Sequence, residues 1–156
     1  TAAVTDAHLP PERSIAIDTL FPFAAKACRR RVLMSTPATD PVLAIAAQRL
    51  FMADGARASL LRDSTGFVAQ RIVAMMVAVS CEIAQQRIAD PADIDLAVRL
   101  GLGYPMGPLS MGDALGAATV AQVLTGIHSV TADPRYRPSL WLRRRAQLGL
   151  SLLHND

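Results

Sequence analysis

Three histidines, two cysteines and one close group of aspartates are the side chains of this chain suited to acid–base, nucleophilic or metal chemistry, and their spacing argues against each use. His8 lies in a polar lead, His128 within a predicted helix and His154 in the tail, none beside a carboxylate in sequence, so no imidazole is set up as an oriented base. Cys28 and Cys81 stand alone, without the spacing of a zinc site or a disulfide framework. Asp90, Asp93 and Asp95 crowd together, but a calcium loop also needs a glycine and a distal glutamate, which are missing. Helix capping accounts for them better: Asp90 as N-cap, Pro91 at the first position and Asp93 reaching back. No metal is expected.

A second candidate chemistry is phosphate binding. Gly101, Gly103 and Gly107 in GLGYPMGP imitate a dinucleotide fingerprint. A true fingerprint follows a strand with the spacing GxGxxG; here a helix precedes, the spacing is GxGxxxG, and Pro105 and Pro108 interrupt. The loop reads instead as a rigid joint, with Gly101 ending one helix, Pro105 holding Tyr104 extended and Pro108 opening the next helix. The net charge of +3 comes almost wholly from arginine, with Lys26 the only lysine. Two triplets stand out, Arg29–Arg30–Arg31 and Arg143–Arg144–Arg145. Aromatics at 4% are too few for a single-strand nucleic-acid face, so no nucleic-acid partner is expected. The second triplet reads as the solvated, C-terminal side of a helix beginning near Ser139; phosphate contacts from Arg29, Arg30 and Arg31 stay open.

The elements that would position these groups change character near Asp63. A polar lead, residues 1–13, is expected to be flexible. Within residues 14–63, Ser14–Leu20, Val32–Ser35 and Arg57–Leu61 read as short strands. A helix from Pro41 to about Gly55, capped through Thr39–Asp40–Pro41, is expected to lay Val42, Ile45, Ala46, Leu50 and Met52 on the sheet. Too few strands are present for a complete doubly wound sheet. Residues 64–156 read as a helical bundle: Phe67–Ile88, Pro91–Leu100, Leu109–Leu115, Ala118–Ala132 and Ser139–Leu148. The long helix is apolar nearly all round, which suits a central or interface position. With 51% hydrophobic residues the chain has ample material for a core. Its longest uncharged apolar run, Ile72–Val79, falls short of the ~20 residues that span a bilayer. No membrane partner is expected and the setting is read as cytoplasmic. The start at Thr1 suits a piece of a longer polypeptide.

DSTGFVAQRI at Asp63–Ile72, followed by DIDLAVRLGLGYPMGPLSMGDALG at Asp93–Gly116, resembles the C-terminal helical domain of the 3-hydroxyacyl-CoA dehydrogenases, a fold like the 6-phosphogluconate dehydrogenase C-terminal domain. Gly66, Phe67, Arg71, Gly103, Tyr104, Pro105, Gly107, Pro108 and Asp113 carry the resemblance. RYRPS at Arg135–Ser139 and WLRRRAQLGLSLL at Trp141–Leu153 resemble the end of long bacterial forms with two such domains, including the phenylacetate-degradation type. The resemblance implies a mainly α segment, the second repeat of such an enzyme, behind a small α/β remnant of a Rossmann-like end.

It also implies a chemistry: hydride transfer between NAD and the hydroxyl carbon of a 3-hydroxyacyl-CoA, with a histidine taking the proton, a glutamate orienting it and a helix asparagine contacting substrate. Matched residue by residue, the histidine's place falls to Asp18, the asparagine of the same HFFNP strand motif to Phe21, the glutamate's to Val32 and the helix asparagine's to Gln70. Ser110 stands where the family usually has a glutamate, and Ala118 where it has an aspartate. No catalytic residue is therefore expected here, and no cofactor on this chain alone. NAD, acyl-CoA and an N-terminal Rossmann half are implied for the whole enzyme. This segment would supply packing, homo-oligomer contacts through its helices and part of the acyl-CoA pocket. The alternative is a non-catalytic assembly or acyl-CoA-binding module.

Overall fold

A computed structural model of the chain describes residues 9–20 and 29–155. His8, Phe21, Lys26, Cys28 and residues 1–8 of the lead lie outside the described residues. The chain divides into two compact units between Phe67 and Val68. The change of sequence character falls earlier, at Asp63; Phe67 belongs to the first unit because its ring is buried against Met34 of the sheet.

The first unit holds a three-stranded sheet. β1 (Ile15–Ile17) pairs antiparallel with β2 (Arg30–Ser35), and β2 pairs parallel with β3 (Arg57–Arg62). Parallel neighbours require a crossover, which α1 (Pro41–Met52) provides. The Asp40 carboxylate accepts the Val42 N–H at 2.8 Å with Pro41 at the first helical position, as the cap chemistry predicts. β1 is shorter than expected because Asp18 turns the chain, accepting the Leu20 N–H on its own side chain at 3.1 Å. β2 begins earlier than expected and takes in Arg30 and Arg31. The described end of the lead is tied down. Pro11–Arg13 forms a 3-10 turn, the Thr36 and Thr39 hydroxyls both donate to the Pro11 carbonyl, and the Asp40 N–H donates to Glu12.

The expected orientation of α1 is reversed. Ala44 is buried, Leu43, Ala47 and Phe51 are half-buried, and Val42, Ile45, Ala46, Leu50 and Met52 face outward. Both faces of this helix are apolar, so hydropathy alone does not choose between them. Arg49 decides, because it sits in the middle of the Val42–Ile45–Ala46 stripe and burying it against the sheet would strand its charge.

The second unit contains α2 (Val68–Gln85), α3 (Pro91–Leu102), α4 (Pro108–Leu115), α5 (Ala117–Thr131), a 3-10 turn (Pro134–Tyr136) and α6 (Leu140–Leu148). By length and composition α2 could cross a bilayer, which the eight-residue run read from sequence understates. In this unit it is the core helix. Gln70, Ala74, Val77, Ala78, Cys81 and Ala84 form its buried face, at spacings of three and four. Val77 and Cys81 meet Leu109, Leu124, Ile127, Leu142 and Leu152 in one core of fully buried side chains. The alanines let neighbouring helices approach closely. On the other side of α2, Val68, Ile72 and Val79 stay more than half exposed.

α2 ends earlier than predicted, at Gln85, with Arg87 in the left-handed region (φ 54°) and the Ile88 N–H bonded to the Ile83 carbonyl. Glycine usually fills such a position, and a side chain there costs about 1 kcal/mol. Gly112 has the opposite requirement: a β-carbon on it would stand 2.4 Å from Leu152 Cδ1 and 2.9 Å from Val77 Cγ1. Thermal unfolding should therefore show Arg87→Gly stabilised by about 1 kcal/mol and Gly112→Ala destabilised by about 2 kcal/mol through overpacking. A Gly112→Ala melt equal to wild type would contradict the packing described.

Candidate functional site

The residues of the GLGYPMGP joint are organised around one carboxylate. Gly103, at φ 66°, is the left-handed residue that ends α3, whereas Gly101 lies inside the helix; the expected assignment is two residues early. Four residues later α4 begins with Gly107 as N-cap, which has no side chain to offer the first amides. Asp95, one turn into α3 and almost wholly buried, supplies the missing acceptor. Its Oδ1 accepts the Leu109 N–H at 2.7 Å, and its Oδ2 accepts the Ser110 N–H at 2.9 Å and the Ser110 hydroxyl at 2.5 Å. A β-carbon on Gly107 would lie 2.1 Å from Asp95 Cγ, so only glycine admits this approach. Pro108, at the first helical position, leaves no amide to satisfy.

The aspartate group thus divides differently from the capping scheme read from sequence. Asp90 is the N-cap of α3 by position, yet its side chain makes no cap bond there and instead accepts the Asn155 side-chain amide at 3.2 Å. Asp95 is the capping carboxylate, and the helix it caps is α4. The sequence signal for it is a Gly-Pro helix start lacking its own cap, preceded by an acid in the neighbouring helix.

Asp113 plays a similar part at the other end of α4. It accepts the Leu152 N–H at 2.7 Å and the Ser151 hydroxyl at 2.5 Å, holding the tail so that Leu152 fills the core. Arg71 donates to the Tyr136 hydroxyl at 3.0 Å with its guanidinium 5.3 Å from the ring centre, tying the start of α2 to the 3-10 turn. Gly66 turns the chain before α2 at φ 79°.

The second arginine triplet is split. Arg143 and Arg144 are solvated as expected, but Arg145 is buried. Its guanidinium stacks 3.2 Å from the centre of the Trp141 ring, one turn earlier, and donates to the His154 carbonyl at 2.6 Å. The tail folding back over α6 is what buries it. In the first triplet Arg29 is exposed, Arg30 donates to Ser59 Oγ at 2.6 Å, and Arg31 forks onto Asp54 while also donating to the Phe51 carbonyl at 2.5 Å. The Arg31 guanidinium holds the Asp54 carboxyl below the usual range.

Of the positions carried over from the resemblance, Asp18 and Val32 are brought together: the Asp18 N–H donates to the Val32 carbonyl at 2.9 Å across the end of the β1–β2 pair. Asp18 is buried, and Val32 packs against the Met34–Phe67 cluster. Gln70 is buried in the first turn of α2, in the other unit. Of the two described histidines, His128 is half-buried in α5 and His154 is exposed in the tail. Among the described residues no group of three or more His, Cys, Asp or Glu is placed to hold a metal. A cleft of about 800 Å³ lies between the end of α2, the start of α3 and α6, and neither Asp18, Val32 nor Gln70 lines it. The Cys81 thiol, buried in the core, is pushed up to about 12 by desolvation and is chemically quiet.

Replacing Asp95 by alanine strands the Leu109 and Ser110 amides and should cost about 3 kcal/mol. Asp95→Asn, which keeps one acceptor, should lose roughly half as much. Denaturant titration of both variants checks this, and equal stability of Asp95→Ala and wild type would refute the capping role.

Residues 66–151, more than half of the chain, match the family model for the "3-hydroxyacyl-CoA dehydrogenase, C-terminal domain". The chain is 36% identical over 88 residues to a probable 3-hydroxybutyryl-CoA dehydrogenase of Deinococcus radiodurans, covering 56% of this chain and 32% of that protein. It is 29% identical over 157 residues to the 3-hydroxybutyryl-CoA dehydrogenase of Bradyrhizobium diazoefficiens, covering 95% of this chain and 52% of the relative. Among solved structures, the (S)-3-hydroxybutyryl-CoA dehydrogenase of Ralstonia eutropha superposes with a TM-score of 0.76 at 25% identity, over 83% of this chain and 48% of that one. The chain therefore spans about half or less of the length of these proteins.

Proposed function

The chain belongs to the 3-hydroxyacyl-CoA dehydrogenase family, as its C-terminal domain, and from that premise we propose that it is the C-terminal portion of an NAD-dependent enzyme oxidising 3-hydroxyacyl-CoA to 3-ketoacyl-CoA. In this reading an N-terminal Rossmann half holds NAD, and this segment contributes packing, homo-oligomer contacts through its helices and part of the acyl-CoA pocket. Alone it has no turnover. The setting is cytoplasmic.

The observation that carries the division of labour is the Asp18–Val32 pair. Oxidation of a hydroxyl by hydride departure needs a base for the hydroxyl proton, and imidazole is the side chain that titrates near neutrality. The strand end that would present it carries Asp18, and the neighbour that would orient it is an isopropyl group packed into an apolar cluster. The residues present at the α4 N-terminus also do not fit a dinucleotide pyrophosphate. The amides that would cradle the phosphates are bonded to the Asp95 carboxylate, which would repel an anion.

A second reading, an assembly or acyl-CoA-binding module, is favoured by the exposed apolar side of α2 at Val68, Ile72 and Val79 and by the exposed Arg29. Saturable calorimetric binding of CoA, weakened by Arg29→Ala, would support its ligand-binding form.

The two readings separate on turnover. With acetoacetyl-CoA, NADH oxidation should be at background for this chain and readily measured for the full-length parent protein, with a large loss on deleting residues 63–156. A rate well above background from the chain alone would overturn the assignment of lost catalysis. Unchanged turnover after the deletion would overturn the proposed contribution to the enzyme.

A further inference from the structure

The outward side of α1 is built to meet another helix. Val42, Ile45, Ala46 and Arg49 stand at i, i+3, i+4 and i+7, and Met52 continues the line. All are exposed, Val42 at 73%, with Leu50 beside them at 71%. A surface helix ordinarily carries charge on this side; here Arg49 is the only charged residue of the twelve in α1. Large apolar side chains gathered on one solvent-facing stripe mark an interaction surface.

The charges on this helix say what fits it. Arg49 is exposed near the C-terminal end, and Asp40, also exposed, caps the N-terminal end. Two copies of α1 packed antiparallel about a two-fold axis between Ile45 and Ala46 would set Arg49 over Val42 of the second copy, within one turn of its Asp40. The two charge pairs then form symmetrically at the ends of the contact, the helix dipoles oppose favourably, and small Ala46 lies at the crossing, where backbones must approach most closely. We propose that α1 is a self-association surface, taking α1 of a second copy of this chain in an antiparallel, isologous pair. A pair of twelve-residue helices buries less than the ~1,200 Å² at which stable interfaces begin, so the association is weak and concentration-dependent. It lies on the α/β unit and does not rest on the dehydrogenase reading, which invokes the helical unit.

Sedimentation equilibrium at high protein concentration tests it with the whole chain. Ile45→Glu, at an exposed position, should leave the circular dichroism spectrum unchanged and lower the mass of the associated species twofold. Ile72→Glu on α2 reports separately on the helical surface. In a Cys28→Ser background, Ala46→Cys should give a disulfide-linked dimer on oxidation. A mass unaffected by Ile45→Glu overturns the proposal, whether both proteins are monomeric or both associate through another face; so does failure of Ala46→Cys to crosslink.

Discussion

A single buried carboxylate, that of Asp95, fixes the start of α4 against α3 in the helical unit. A helix start leaves several amides without partners, and α4 begins on a glycine and a proline that supply none. Asp95 reaches across from α3 with two oxygens and takes two of those amides and a hydroxyl. The other features of the joint follow. Gly107 must lack a β-carbon because the carboxylate occupies that space, and Gly103 must take a left-handed conformation to bring the chain back from α3 within four residues. Once α4 is fixed, Leu109 enters the core and Asp113 is positioned to clamp the tail, which places Leu152 against Gly112.

This arrangement gives a structural part to residues that carry the resemblance. Gly66 makes a left-handed turn, as does Gly103 at the end of α3. Arg71 bonds to Tyr136, Gly107 admits a close approach, and Asp113 clamps the tail. Val32, at a position where the resemblance implies a catalytic side chain, has acquired a packing role in the Met34–Phe67 cluster. On the proposed reading, selection on this segment acts through its shape, with catalysis supplied elsewhere in the parent enzyme.

Much of this is legible in the residues alone. The helices of the second unit are readable because apolar spacing marks each of them and prolines mark the starts of α3 and α4, and the GYPMGP joint with Asp113 points to the family. What cannot be read is set by tertiary contact. Asp95 looks like part of a local capping group until α4 is folded back beside it. Arg145 looks solvated until the tail covers it and Trp141 stacks on it. The direction of α1 is hidden because both of its sides are apolar, and the one discriminating residue, Arg49, outweighs five hydrophobic ones.

Amide hydrogen exchange at Leu109 and Ser110 tests the role of Asp95 most directly. These are the second and third residues of α4, where a helix has no internal acceptor and amides ordinarily exchange early. With both bonded to a buried carboxylate, they should be protected to the level of the core amides of α2 and exchange only when the unit unfolds. Rapid exchange at these two positions, with α2 still protected, would show that the joint is not held by Asp95.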